Sequence, residues 1–273
     1  MKREVILITG ASSGIGEETA KMLVAQGHVV YAAARRLERM KHLQESGIKT
    51  LAMDVTQENS MIEGVETIIQ EQGRIDILVN NAGYGSYGAV EDVPLEEAKY
   101  QFEVNIFGLA RLVQLVLPHM RKQSAGRIVN ISSIGGKFGE PHGAWYHGTK
   151  FALEGISDSL RMELKQFGID VVVIQPGAIY TEWNKIAREN LIKVSGSTAY
   201  GKTAKAHAQM LEKYDKNGSH PKVIAQLISK AVNSRRPKTR YTAGSGAWLA
   251  LTMRKLLCDR AFDKAFMSMM KAN

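Results

Sequence analysis

Short apolar, β-branched runs alternate along this chain with helix-prone segments, and that rhythm constrains the fold more than any other feature. Val5–Thr9, Val29–Ala34, Thr50–Met53, Ile75–Asn80, Arg127–Ile131 and Asp170–Gln175 read as strands. Between them Glu17–Gln26, Leu37–Ser46, Gln57–Gln72, a long stretch from about Pro94 to Lys122 and another from about Trp145 to Gln166 read as helices. Gly27, Gly47 and Gly73 stand where three of these helices should end, the usual place for a residue tolerant of positive φ. Arg240–Thr242 is a candidate short last strand. Strands separated by helices of this length form βαβ units, whose strands lie parallel. The run Val171-Val172-Val173-Ile174 needs cover on both faces, as in a sheet between helical layers. The expected fold class is therefore α/β, a doubly wound parallel sheet in one domain.

Two segments break the rhythm. Residues from about 183 to 220 are polar, helix-prone and punctuated by Gly and Ser, which suits a helical substrate lid. The stretch from about 245 to 273 is basic and amphipathic, carrying Leu249, Leu256, Leu257, Phe262, Phe266 and Met269. Packing on the body or on a neighbouring subunit is its expected role; a pocket cover or a helix on a membrane surface is the alternative. No repeat, low-complexity tract or linker divides the 273 residues, a length that suits a single domain. The one cysteine, Cys258, excludes a disulfide framework and points to a reducing compartment. Met1 leads directly into the first strand with no secretory pattern, and no apolar run reaches the roughly 18 residues a bilayer span needs. A cytoplasmic protein is expected. The net charge of +9 is spread over scattered Lys and Arg. Without aromatic-basic interleaving it does not indicate a nucleic-acid partner, and the histidines show no metal spacing.

Thr9-Gly10-Ala11-Ser12-Ser13-Gly14-Ile15-Gly16 joins the first strand to the first helix. Glycines there permit a tight turn and close backbone approach, and the helix start offers free N–H groups and a positive dipole end to a pyrophosphate. Further on stand Asn80-Asn81-Ala82-Gly83, Asn105, Ser132-Ser133, Tyr146-His147-Gly148-Thr149-Lys150, Pro176-Gly177 and Thr181. In order and spacing this set resembles the short-chain dehydrogenase/reductase family: TGxxxGIG, NNAG, the helix Asn, the strand-end Ser, YxxxK and PG. The resemblance covers about residues 5 to 182 and favours the shorter, classical-type branch. It implies a Rossmann fold and an oxidoreductase that moves a hydride between a nicotinamide cofactor and a carbonyl or alcohol. A non-catalytic NADP(H)-binding sensor or scaffold is the alternative, and a sugar epimerase on the same fold a third.

The end of the second strand bears on the cofactor. An acid there would bond the ribose 2′-hydroxyl of NAD and repel a 2′-phosphate. The aligned position is Ala34, followed by Arg35 and Arg36. A charged hydrogen bond contributes about 1.5–3 kcal/mol, so one good arginine contact favours NADP(H) by about ten- to a hundredfold. Arg35 is the first choice, and the alternative is that both arginines open a solvated helix. Ser12 or Ser13 is expected to help at the same phosphate. The resemblance assigns Asp54, with Val55, to adenine; a helix-capping role is the alternative. It also sets Asn81, Ala82 and Gly83 around the adenosine ribose and pyrophosphate.

Tyr146 and Lys150 are spaced i, i+4 and share a helix face. A phenol pKa near 10 is high for acid–base work at neutral pH. A lysine charge about 4 Å away at an effective dielectric near 20 supplies roughly 4 kcal/mol, which would lower that pKa by about three units. By resemblance, Tyr146 is the general acid/base, Lys150 also bonds the nicotinamide ribose, and Ser133 holds the substrate oxygen, with Ser132 pointing the other way. Asn105 would help hold a proton-relay water near the lysine. Pro176, Gly177, Ile179 and Thr181 would meet the nicotinamide carboxamide. His147 stands where the family usually has a small residue and is expected to face solvent; perturbing the local field is the alternative.

The substrate should be a small-molecule carbonyl or alcohol. The tail resembles that of steroid- and retinol-dehydrogenase-like relatives, which implies a bulky apolar one. Trp183, Ile186, Leu191, Ile192 and Tyr200 of the lid are expected either to face it or to pack the helices, and Tyr84 and Tyr87 are further candidates for the pocket wall. The resemblance also implies a homo-oligomer, dimer or tetramer.

Overall fold

The computed structural model describes residues 2–271. Its elements are β1 (Val5–Thr9), α1 (Gly14–Ala25), β2 (Val29–Ala34), α2 (Lys41–Gln44), β3 (Lys49–Ala52), α3 (Glu58–Gln72), β4 (Ile77–Asn80), α4 (Leu95–Phe102), α5 (Gly108–Lys122) and β5 (Gly126–Ile131). There follow α6 (Ala144–Leu164), β6 (Ile169–Pro176), α7 (Glu182–Ser195), α8 (Gly201–Asn217), α9 (Lys222–Asn233), β7 (Arg240–Ala243), α10 (Ala247–Leu256) and α11 (Asp259–Lys271). The seven strands form one parallel sheet in the order β3-β2-β1-β4-β5-β6-β7. The order reverses between β1 and β4, and ligands of open α/β sheets bind beyond the strand ends at such a switch.

Side-chain alternation builds a core on each face. Val5 and Leu7 of β1 join Ile169 and Val171 of β6 beneath Ile68, Leu112, Val116 and Leu153 of α3, α5 and α6. Ile6 and Ile8 join Val172 and Ile174 beneath Leu23 of α1 and Ile224 and Ile228 of α9. Both layers are apolar, so the strands read as continuous apolar runs. The edges carry Lys49 and Arg240, charges that discourage pairing with another chain.

The structure departs from the sequence reading in four places. Helix α1 starts at Gly14, ahead of Glu17, because the glycine turn closes directly into it. Leu37–Ser46 is not one helix: Leu37–Met40 is a 3₁₀ turn leading into the short α2. With only Met40 and Leu43 buried there, little apolar surface holds a longer helix. The stretch from Pro94 to Lys122 is broken by a π-turn at Glu103–Phe107, with Asn105 at its centre. Helix α9 fills the span before the last strand with Ile224, Ile228 and Val232 turned inward, where the strand–helix rhythm of the sequence indicates no element. Among the described residues no helix is long and apolar enough to cross a membrane.

Candidate active site

A cleft of about 710 Å³ opens at the switch point, beyond the carboxyl ends of the strands. Its phosphate-like end is the turn between β1 and α1. Gly10 and Gly14 take φ of +64° and +57°, backbone that side chains rarely adopt. Gly16 is needed for contact: a Cβ there would lie 2.5 Å from the Gly10 carbonyl oxygen. Gly16 is thus set behind the cleft, while Gly10, Ser12, Ser13, Gly14 and Ile15 line it. Ser13 is the N-cap of α1 yet makes no side-chain cap bond, which leaves its hydroxyl and the first N–H groups of the helix for an anion.

Ala34, Arg35, Arg36, Asp54, Val55, Asn81, Ala82 and Gly83 also line the cleft. Arg35 donates to the Tyr100 hydroxyl at 3.0 Å. Among the described residues no carboxylate forms an ion pair with Arg35 or Arg36, whereas Arg39 grips Glu182 with two bonds of 3.1 and 2.9 Å. Asp54 is engaged in a turn: Oδ1 accepts from the Thr56 backbone N–H at 2.9 Å and from its hydroxyl at 2.8 Å. The N-cap of α3 is Gln57, so Asp54 stabilises the approach to the helix rather than capping it. Asn81 spends its carboxamide on the glycine turn, donating to the Thr9 and Gly10 carbonyls at 3.0 Å each. Guanidiniums outside any ion pair, free helix N–H groups and a cleft of this size suit a phosphate-bearing dinucleotide.

The cleft's centre gathers Ser133, Tyr146 and Lys150. Tyr146 and Lys150 lie on one face of α6, with the ammonium 5.7 Å from the centre of the phenol ring. Lys150 is buried and donates to the Ile131 carbonyl at 2.9 Å. Burial lowers its pKa to about 8, against the raising charge of Glu154. Burial likewise pushes the Tyr146 phenol up to about 12; a Ser133 hydrogen bond pulls it down and the Glu140 charge raises it. The sequence estimate, a phenol lowered by a lysine about 4 Å away, is therefore corrected. The lysine is itself desolvated and faces a backbone carbonyl. Pro176, Gly177, Ile179 and Thr181 line the wall beside this centre.

Asn105 lies off the cleft wall. Its Oδ1 accepts from the Tyr84 N–H at 2.8 Å, and its Nδ2 donates to the Tyr84 carbonyl at 2.9 Å and to the Thr149 hydroxyl at 3.0 Å. The π-turn brings it there, and it ties the loop after β4 to α6. A Cβ on Gly83 would sit 3.9 Å from both Asn105 Oδ1 and Lys150 Nζ, so a small space joins these two groups.

His147 does not face solvent: its ring is buried and its Nδ1 lies 2.8 Å from the Gly135 carbonyl oxygen. Its Nε2 is 3.5 Å from Glu140 Oε1. Glu140, a cleft residue with no motif to announce it, also accepts from the Tyr87 hydroxyl at 2.8 Å. Burial opposes its ionisation, but His147, His207 and Tyr87 hold its pKa down to about 2. A carboxylate lowered on folding adds stability above its unfolded pKa and loses it as pH falls through the folded one. Glu140→Gln is therefore expected to lower the melting temperature at pH 7, with the gap to wild type closing between pH 4.5 and about 2. Thermal melts at several pH values check this; a gap constant across that range would refute it.

At the far end, Phe138, Met253, Phe262, Phe266 and Met269 make an apolar wall. Phe262 packs on Phe138 at 5.4 Å between ring centres. The tail thus packs on the body and also covers the cleft; its last two residues, 272 and 273, lie outside the described residues. The lid-like helices α7 and α8 divide their apolar residues. Trp183 packs on Tyr146 at 4.8 Å and lines the cleft with Ile186, Leu191 is buried between the helices, and Ile192 and Tyr200 are exposed. Tyr84 and Tyr87 line the cleft as expected.

A family model described as short chain dehydrogenase matches residues 4–192. The chain belongs to the short-chain dehydrogenase family. It is 41% identical over 246 residues to a 3-ketodihydrosphingosine reductase of Bacteroides thetaiotaomicron, covering 89% of each chain. It is 32% identical over 274 residues to an NADPH-dependent 3-dehydrocapnine reductase of Ornithobacterium rhinotracheale, covering 95% of each. Among solved structures it is similar to a short-chain dehydrogenase of Streptomyces avermitilis, with a TM-score of 0.80, 30% identity and coverage of 100% of this chain and 99% of that one. This short-chain dehydrogenase is accordingly an oxidoreductase by family, built as one Rossmann-type domain.

Proposed function

We propose that this protein is an NADP(H)-dependent reductase of a bulky, largely apolar ketone, with Tyr146 as general acid. The observation that carries the reading is one cleft with Arg35 and Arg36, neither in an ion pair among the described residues, at one end, Ser133, Tyr146 and Lys150 at its centre, and an apolar wall at the other. The phosphates of the dinucleotide would rest on Gly10, Ser12, Ser13, Gly14 and Ile15, with Gly16 supporting the turn. Its 2′-phosphate would rest on Arg35 and Arg36, adenine on Asp54 and Val55, and the adenosine ribose on Asn81, Ala82 and Gly83. Lys150 would bond the nicotinamide ribose, and Pro176, Gly177, Ile179 and Thr181 would hold the carboxamide. Bound NADPH supplies the hydride.

Ser133 holds the carbonyl oxygen at the phenol. Tyr146 gives its proton to that oxygen as the carbon is reduced, and the ammonium of Lys150 faces the phenolate that remains. A phenol pushed up to about 12 keeps its proton at neutral pH, the form a general acid needs. The space beside Gly83 suits a water between Asn105 and Lys150, a route by which the phenolate regains a proton. Phe138, Phe262, Phe266 and Met253 suit an apolar substrate, and the two reductase relatives named for 3-ketodihydrosphingosine and 3-dehydrocapnine supply ketones to test first. Phe107 and Phe151 are exposed on the long helices, which favours a homo-oligomer built there.

The experiment is consumption of NADPH and NADH against a panel of long-chain ketones, steroids, quinones and short aldehydes. Turnover with NADPH preferred, fastest for large apolar ketones, is the expected result. NADPH bound without consumption across the panel would refute the catalytic reading.

A further inference from the structure

Two glycines next to the carbonyl site have no conformational reason to be glycine. Gly143 has φ of −105°, and Gly135 is not among the residues with positive φ. Both make room for one ring. A Cβ on Gly135 would lie 2.8 Å from His147 Nδ1, and one on Gly143 would lie 2.7 Å from His147 Cδ2. A side chain at either position would displace a buried imidazole that the YxxxK motif does not require.

That imidazole holds a particular peptide. Nδ1 lies 2.8 Å from the Gly135 carbonyl oxygen, which assigns it the proton as donor. The N–H of the same glycine donates to Ser133 Oγ at 3.0 Å. Gly135 is therefore gripped on one side by His147 and on the other by the serine facing Tyr146. With Nδ1–H committed, a neutral ring would point the bare lone pair of Nε2 at Glu140 Oε1, 3.5 Å away. Among the described residues Nε2 has no other hydrogen-bond partner, so a second proton there turns repulsion into an ion pair. Burial opposes that proton, and the Glu140 bond and charge then raise the His147 pKa.

The surroundings fit the same arrangement. The titratable groups facing the pair are Tyr87 from the loop after β4, Tyr146 from α6, and His207 and Tyr214 from α8, the last of which the Glu140 charge also reaches. Tyr87 donates to Glu140 at 2.8 Å. The Tyr146 and His147 rings are 5.6 Å apart, and His207 Nε2 is 3.8 Å from Glu140 Oε1. His142 stands behind His207 at 3.2 Å. The charge pair thus joins the Ser133 turn, the loop after β4 and the second lid helix.

We propose that His147, paired with Glu140, is a positioning residue for the carbonyl site, setting Ser133 against Tyr146 through the Gly135 peptide. The inference rests on the reading of Ser133 and Tyr146 as the groups that hold the carbonyl. A carbonyl-binding group displaced by about 1 Å costs about a hundredfold in rate, so His147→Ala is expected to lower kcat by about ten- to a hundredfold. NADPH affinity should stay within about twofold, since the pair touches no phosphate-binding residue.

The test compares wild type, His147→Ala, His147→Asn and Glu140→Gln. It reads kcat, KM, NADPH binding, pH profile and hydrogen exchange at the amides of residues 133–138. His147→Ala should lose kcat rather than gain KM and should exchange faster in that segment. His147→Asn, which keeps an N–H near the Nδ1 position, should restore most of both. Glu140→Gln should move the kcat profile to lower pH, because the carboxylate raises the pKa of both His147 and Tyr146. Unchanged kcat and exchange in His147→Ala would overturn the proposal. If His147→Ala misfolds, Glu140→Gln, which leaves the ring in place, decides: an unmoved profile overturns it. If wild type reduces no carbonyl, the proposed function fails by itself. Exchange at residues 133–138 then tells separately whether His147 holds the turn, and unchanged exchange overturns that.

Discussion

Tyr146→Phe is expected to reduce the rate of carbonyl reduction by about two to four orders of magnitude, the range of a general acid, while NADPH binds as before. The substitution removes one oxygen and keeps the ring. That ring is wedged against Trp183 at 4.8 Å and Tyr87 at 5.9 Å, so its packing holds without the hydroxyl. The missing atom is the one whose proton the Ser133 bond and the Glu140 charge act upon. Single-turnover reduction of bound substrate isolates the chemical step, and cofactor binding followed by fluorescence isolates affinity. Loss in the first with no change in the second supports proton donation. A single-turnover rate within tenfold of wild type would show that another group delivers the proton.

The sheet was legible because its physics is local. Most strands are runs of residues buried on both faces, and helices intervene between them, so the succession of strands and their parallel direction could be read from Val5 to Ile174. The catalytic spacing was legible for a similar reason: Tyr146 and Lys150 are one helical turn apart, and a helix puts them on one face whatever surrounds it. What surrounds it was not legible. The electrostatics of the phenol depend on Glu140, six residues earlier in a loop, and on how far Lys150 leans toward the Ile131 carbonyl. The burial of His147 depends on Gly135 and Gly143, which carry no signal of their own and gain meaning only when the ring lies between them. The π-turn at Glu103–Phe107 shares the helical pattern of its neighbours, so periodicity passed over it. Asn81 and Asn105 were found by their position in motifs, yet their carboxamides bond to the protein's own backbone, which spacing does not reveal.

Replacing Arg35 should produce the second large effect, on the choice of cofactor rather than on chemistry. The two arginines are not equivalent. Arg36 lies near enough to Glu182 for its charge to lower that carboxyl's pKa, whereas Arg35 is oriented by the Tyr100 hydroxyl, a neutral partner. Tyr100 is itself set edge-on to Tyr84 at 5.6 Å, so the guanidinium is directed without being neutralised. A charged hydrogen bond of about 1.5–3 kcal/mol converts to about ten- to a hundredfold in affinity. Arg35→Ala is therefore expected to raise KM for NADPH by about that factor, leaving KM for NADH within about twofold, and Arg36→Ala should do less. Kinetics at saturating cofactor should show kcat nearly unchanged, since the 2′-phosphate is remote from the reacting carbon and its binding is uniform along the reaction. Arg35→Lys separates charge from shape: a point charge retains part of the preference but loses the bidentate fork. Adding an acid at the strand end, Ala34→Asp, in the Arg35→Ala background should then turn the enzyme toward NADH by repelling the phosphate. If Arg35→Ala leaves the ratio of NADPH to NADH efficiency where wild type has it, the 2′-phosphate is held elsewhere. Ser12 and Ser13, whose hydroxyls line the same cleft, then become the next residues to change.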